Sequence, residues 1–271
     1  MSSSVTLYAW AVPAFTSEAP VDHTWVTTYD SRVVSYADDQ QVVTAGHFYW
    51  YCWGSFHPRG GTPTQGDGWL GEQVGDLALA QCLVTANADS RYVPAARGTV
   101  FAYGVDGVCH QLANQVLHAS GSGHIPPLTV ARARGYMAST FIYGTYGLRQ
   151  TEWLNKIKSC SGGLPGPMVQ PGGSPVPSLN DDFEKHARSV LEPHDTRLLS
   201  ELLALHTEAQ EGAKTALSGD ALPSADVLNR RNQQFLDRAA QLLGPNKFKK
   251  VFGFEPHEKL DLVDPKILDH Q

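Results

Sequence analysis

An α+β fold is predicted by three features of the chain. Segments rich in Val, Thr, Tyr, Trp and Gly fill the first half, up to about Tyr146. One amphipathic helix carrying Cys109 stands among them, and the texture turns helical after Ser178. Together they predict a mostly antiparallel sheet packed on the Cys-bearing helix, followed by a C-terminal α-helical region. The expected divisions are 1–160 for the α+β part, 161–177 for a linker or loop, and 178–271 for the helices.

Strands are expected at about Val5–Val12, His23–Tyr29, Val42–Trp53 and Gly98–Tyr103, where β-branched and aromatic residues concentrate. The apolar segment Gly75–Val84 fits helix or strand. Residues 54–75 hold repeated Gly and Pro and read as a long loop, with Trp69 as a possible anchor. Residues 104–120 read as a turn then a helix, with Asp106 as N-cap and Val108, Leu112, Val116 and Leu117 on one apolar face. The Gly- and Tyr-rich stretch from Gly135 to Gly147 is expected to return to the sheet as a strand. Residues 162–177, GGLPGPMVQPGGSPVP, exclude regular structure by their Gly and Pro content. Beyond them, Asn180-Asp181-Asp182 caps a helix through Phe183, Ala187 and Leu191. A Leu-rich stripe follows from Leu198 to Leu205. A third helix starts near Ser224 or Asp226 and stops at Gly244-Pro245. The tail from Phe248 is expected to wrap back over the body.

Composition narrows the function. The chain has 271 residues, 42% hydrophobic and 18% charged, a globular balance. A net charge of −6 and the lack of any Lys/Arg cluster give no reason to expect nucleic-acid binding. No segment reaches the roughly 18 apolar residues of a membrane span. The start, Met1-Ser2-Ser3-Ser4, lacks the positive charge of a secretory signal, so the expected location is cytoplasmic. The four cysteines, Cys52, Cys82, Cys109 and Cys160, are far apart, which favours free thiols over disulfides or a zinc finger.

Cys109 carries the chemistry in this reading. With Asp106 as N-cap it would be the third helical residue, where unpaired backbone N–H groups and the helix dipole stabilise a thiolate. A thiol nucleophile needs a base, and the base needs an orienting partner. His23, in Asp22-His23-Thr24-Trp25-Val26, is the candidate base, sharing a strand face with Trp25, whose ring would keep water from the site. His47, on the next strand, is the candidate orienting residue. His110 and His118 read as surface or interface histidines. Gln111 is a weak candidate oxyanion donor, because a helix would point it away.

The pieces Gly107-Val108-Cys109-His110-Gln111-Leu112-Ala113 and His23-Thr24-Trp25-Val26 resemble the papain-like superfamily. The first resembles the nucleophile helix of transglutaminase-like and NlpC-type cell-wall-peptidase-like members, and the second their catalytic-histidine strand. His-before-Cys order resembles the circularly permuted branch, with lecithin retinol acyltransferase-like and deubiquitinase-like proteins. The resemblance covers residues 20–120 and departs from several of these families in having Val108 before the cysteine. It implies a papain-like domain over 1–160, with Cys109 as nucleophile, His23 as base and His47 as third member.

The expected function is therefore a cysteine-dependent hydrolase or acyl transferase. Its substrate would be a peptide or small acyl compound, an amide, ester or thioester, and it would need no cofactor. The C-terminal helices offer a surface for a protein partner. One alternative is a non-catalytic binding module using the aromatic run from Phe48 to Trp53. Another is a zinc enzyme drawing ligands from His23, His47, Cys52, His57 and Cys109.

Overall fold

The computed structural model describes residues 4–12, 23–34, 47–50, 69–83, 103–121, 129–130, 135–149, 181–192, 195–217 and 223–268. Four antiparallel strands form its sheet: β1 (Ser4–Val12), β2 (His23–Thr27), β3 (Tyr49–Trp50) and β4 (Trp69–Asp76). Their order is β3-β2-β1-β4, so β1 lies centrally. The helices are α1 (Leu77–Leu83), α2 (Cys109–Ser120), α3 (Tyr136–Tyr143), α4 (Asp182–Leu191), α5 (Thr196–Leu217), α6 (Ala225–Phe252) and α7 (Pro265–Leu268). The α+β class holds, with a sheet packed on the Cys109 helix and helices closing the chain.

Register decides which side of the sheet carries what. Ala9 pairs with Val26 and with Gly71, and Leu7 pairs with Gln73. The Gln73 amide donates to Leu117 O at 2.6 Å and to Ser120 Oγ at 2.7 Å, so this face of the sheet carries α2. Trp10 pairs with Trp25 on the other face, and their rings stack at 6.2 Å. The Trp10 indole donates to Thr27 Oγ1 there.

Strand β4 lies where a loop was expected. Its burial pattern explains the miss: Gly71 and Gln73 are buried, whereas Glu72 and Val74 are exposed. The inward positions are thus a glycine and an amide, and no apolar alternation advertises a strand. The ambiguous stretch after it divides at Asp76, whose Oδ1 accepts from Ala78 N at 2.9 Å and starts α1. Of the expected strand 42–53 only Phe48–Trp50 and His47 are described. Of that at 98–103, only Tyr103, bridged to Gly107, is described. The linker at 161–177 lies outside the described residues.

All twelve residues of α2 are buried. Its apolar side meets the sheet. Its polar side, at helical spacing 111, 114, 115, meets the stretch after α3 in consecutive bonds. Gln111 donates to Gly144 O at 3.0 Å, Asn114 to Thr145 O at 3.0 Å, and Gln115 to Tyr146 O at 2.6 Å. Each amide satisfies a backbone carbonyl that would otherwise be buried without a donor.

The stretch expected as a strand, Gly135–Gly147, is instead α3 and a turn. Its small residues, Ala138, Ser139 and Thr140, are fully buried. The Ser139 and Thr140 hydroxyls bond back to Tyr136 O, which satisfies them inside the helix. Gly144 ends it with φ 74. Packing overrides the strand preference of Thr, Ile, Phe and Tyr here.

The C-terminal helices start as their caps suggest. Asp181 Oδ1 accepts from Phe183 N at 2.9 Å, and Ser224 Oγ from Val227 N at 3.4 Å. Gly244-Pro245 is a kink in α6 rather than its end: Gly244 leaves helical geometry (φ 68) and Pro245 opens the next turn, a position proline suits. Helix α3 packs against α4, α5 and α6. The tail does return to the body: Asn229 exchanges two bonds with the Val263 backbone, and Asp264 N donates to Tyr103 OH at 3.0 Å. No described helix is long and apolar enough to cross a membrane.

Candidate active site

Cys109 is the first residue of α2, two positions earlier in the helix than expected. Asp106 does not cap the helix. Its carboxylate is taken by Arg149, through Nε at 2.8 Å and through the terminal nitrogen, and its carbonyl accepts from Leu148 N. The N-cap is Val108, in extended conformation (φ −124, ψ −166), whose side chain offers no acceptor. Gln111 replaces it from inside the helix. Its Oε1 accepts from Val108 N at 3.0 Å, half of a capping box. The expectation that the helix would point Gln111 away is corrected: the side chain is fully buried and reaches back over the first turn.

The Cys109 residue is 3% exposed and in no disulfide. The N–H groups of the first helical turn lack intrahelical acceptors and carry the positive end of the helix dipole, while burial of the thiol opposes its ionisation.

His23 opens β2 and pairs through its backbone with Val12, the last rung of the β1–β2 ladder. Alternation gives position 23 the parity of Trp25. Trp25 stands on the face turned away from α2, so the expectation that its ring shelters Cys109 is corrected. His47 is exposed and sits beside β2, its Nδ1 3.3 Å from both Thr28 Oγ1 and Thr28 O, with its ring edge-on to Tyr29.

His110 and His118 are not surface residues; they are 2% and 4% exposed. Burial pushes their imidazoles down, His110 to about 3 and His118 to about 4. The Ser139 hydroxyl donates to Tyr136 O, so the 2.7 Å contact of His110 Nδ1 with Ser139 Oγ is donated by the imidazole. His110 Nε2 is then a bare acceptor, with no hydrogen-bond partner among the described residues.

A second histidine site was not anticipated. His206 of α5 places Nδ1 2.7 Å from Phe141 O and Nε2 3.0 Å from Asp181 Oδ2. Both of these partners are acceptors and favour the charged imidazole, and the Gln210 amide nitrogen also lies 3.1 Å from Nε2. Burial opposes that charge, but the bond and charge of Asp181 and the Phe141 carbonyl outweigh it and hold the pKa above the ordinary histidine value. Only the capping signal of Asp181 was visible in the sequence, because the pair spans 25 residues.

Of the zinc candidates, Cys52 and His57 lie outside the described residues. Among the described residues no three His, Cys, Asp or Glu side chains group as metal ligands. The aromatic run is described only in part: Trp50 is wholly buried and Phe48 partly. No family model, curated protein or solved structure matches the chain.

Proposed function

We propose that the protein is a cysteine-dependent hydrolase or acyl transferase of the papain-like kind, working in the cytoplasm on an amide, ester or thioester. The observation that supports this reading is the position of Cys109. It is the first residue of a helix buried all round and packed on β2, the strand that begins with His23. In the reaction, the Cys109 thiolate attacks the substrate carbonyl carbon to form a tetrahedral oxyanion. The oxyanion collapses, the bond to the leaving group breaks, and His23 delivers the proton that group needs. Water or an acceptor amine or alcohol then attacks the thioester, gives its proton to His23 and expels the Cys109 thiolate, which restores the starting thiolate and protonated His23. The Cys109 N–H serves as one oxyanion donor. The resemblance assigns His47 as the polar third member; it stands at Thr28, five residues along the chain from His23.

The test is trapping of the acyl-enzyme. Incubation with activated esters, followed by intact-mass and peptide analysis, is expected to show one acyl group on Cys109 that turns over with time. Cys109→Ser should retain no thioester, and His23→Ala should slow acylation by roughly two orders of magnitude or more. Wild-type protein that gains no acyl group on Cys109 from any activated ester contradicts the reading.

A further inference from the structure

Gln111 lies across the turn that delivers the chain to Cys109. Its Oε1 holds Val108 N at 3.0 Å, while its Nε2 donates to Gly144 O at 3.0 Å and Ser139 Oγ at 3.2 Å. Every polar atom of the amide is therefore engaged, and none of the residue is exposed. The contact with the turn is close enough to constrain the sequence at position 107. A Cβ on Gly107 would stand 2.7 Å from Gln111 Cβ and 2.8 Å from its Cγ, a distance side chains do not tolerate. Val108 itself has no side-chain oxygen; the carbonyls of its two peptides are held by Gly104 N on Gly107 O at 2.7 Å and Leu112 N on Val108 O at 3.2 Å, and its N–H is held by Gln111.

We infer that Gln111 is a positioning residue for Cys109: by holding the Val108 peptide against the Gly144 turn, it sets the direction of the first-turn N–H groups and so the ionisation of the thiol. The inference rests on the reading of Cys109 as a nucleophile. Gln111 does not touch the reacting atoms; it acts through Val108. Gln115 supplies the internal comparison. It makes the same kind of bond, amide to carbonyl, from the same helix to the same stretch, but one turn further from the cysteine.

The experiment is the pH dependence of Cys109 alkylation by iodoacetamide, read by peptide mass spectrometry, in wild type, Gln111→Met, Gln111→Asn and Gln115→Met. Thermal melts are recorded alongside. Gln111→Asn keeps an amide one methylene too short to span the turn, so it covers the case in which the methionine variant does not fold. The expected result is a wild-type midpoint below the free-thiol value of about 8.5, moved up toward it in both Gln111 variants and unmoved in Gln115→Met. A low wild-type midpoint retained in the Gln111 variants overturns the inference alone. An equal upward shift in Gln115→Met also overturns it, because the effect would then belong to general loosening of α2. A wild-type midpoint at or above about 8.5 overturns the nucleophile reading, and this inference with it.

Discussion

The seam between α2 and the turn after α3, and the junction of α3 with α4 and α5, are both buried and polar, yet they solve the same problem in opposite ways. The seam is neutral: three amides meet three consecutive carbonyls, and the histidines beside them, His110 and His118, are held uncharged by burial. The junction favours charge: His206 stands between Phe141 O and Asp181, which hold its pKa above the ordinary histidine value, within a cluster of Phe141, Phe183 and Phe252. A buried amide costs little when its bonds are complete, whereas a buried charge is tolerated only beside its counterion. The two regions should therefore respond differently to truncation and with opposite sign to pH.

The largest effect is expected in the seam. Asn114 serves three partners, donating to Tyr136 OH and Thr145 O and accepting from Val130 N. Asn114→Ala strands all of them and should cost about 4 kcal/mol in denaturant unfolding. At the junction, Asp181→Ala removes both the cap of α4 and the counterion of His206, and should cost about 2 kcal/mol. A larger loss at Asp181 than at Asn114 would reverse the ranking of the two regions.

Acidity sharpens the contrast. The folded pKa values of His110 and His118 lie below the unfolded value of about 6.5. Below that pH the unfolded chain takes up protons that the folded chain refuses, so the seam loses stability as pH falls from about 6.5 toward 4 and then 3. His206 is raised, so its contribution is complete below about 6.5 and is lost as pH rises through its folded pKa. Unfolding measured across pH should accordingly show an acid limb that His118→Phe flattens. A separate decline on the alkaline side should be removed by His206→Gln. If the acid limb is unchanged in both His118→Phe and His110→Phe, the seam is not the acid-sensitive region. The smallest effect is expected at the surface: Arg238→Ala breaks the exposed pair with Glu208 and should leave the melting temperature unchanged within error.

How much of this was legible depends on whether local chemistry or distant packing decides a residue's role. The caps Asp181 and Ser224, the helix of Cys109 and the strands β1 and β2 follow from short-range signals. Gln111, Asn114 and Gln115 look solvent-facing in the sequence, because nothing nearby announces that residues 144–146 will cover them. For the same reason His110 and His118 pass for surface residues. Strand β4 hides because Gln73 points inward to α2 while Val74 faces out. The helix that starts at Cys109 was legible from its local apolar stripe, and β2 from its β-branched and aromatic residues, but the face presented by Trp25 depends on a register that only the fold fixes.

The most direct measurement of the central claim is an ultraviolet titration of the Cys109 thiolate, taken as the difference between wild type and Cys109→Ser and repeated in the His23→Ala background. A nucleophile stabilised by the helix start and a base at position 23 should ionise well below the free-thiol value of about 8.5, with the midpoint moving up when His23 is removed. A midpoint at or above about 8.5 that ignores His23 is what burial of an inert thiol produces, and it would contradict the assignment of Cys109 as the reactive centre.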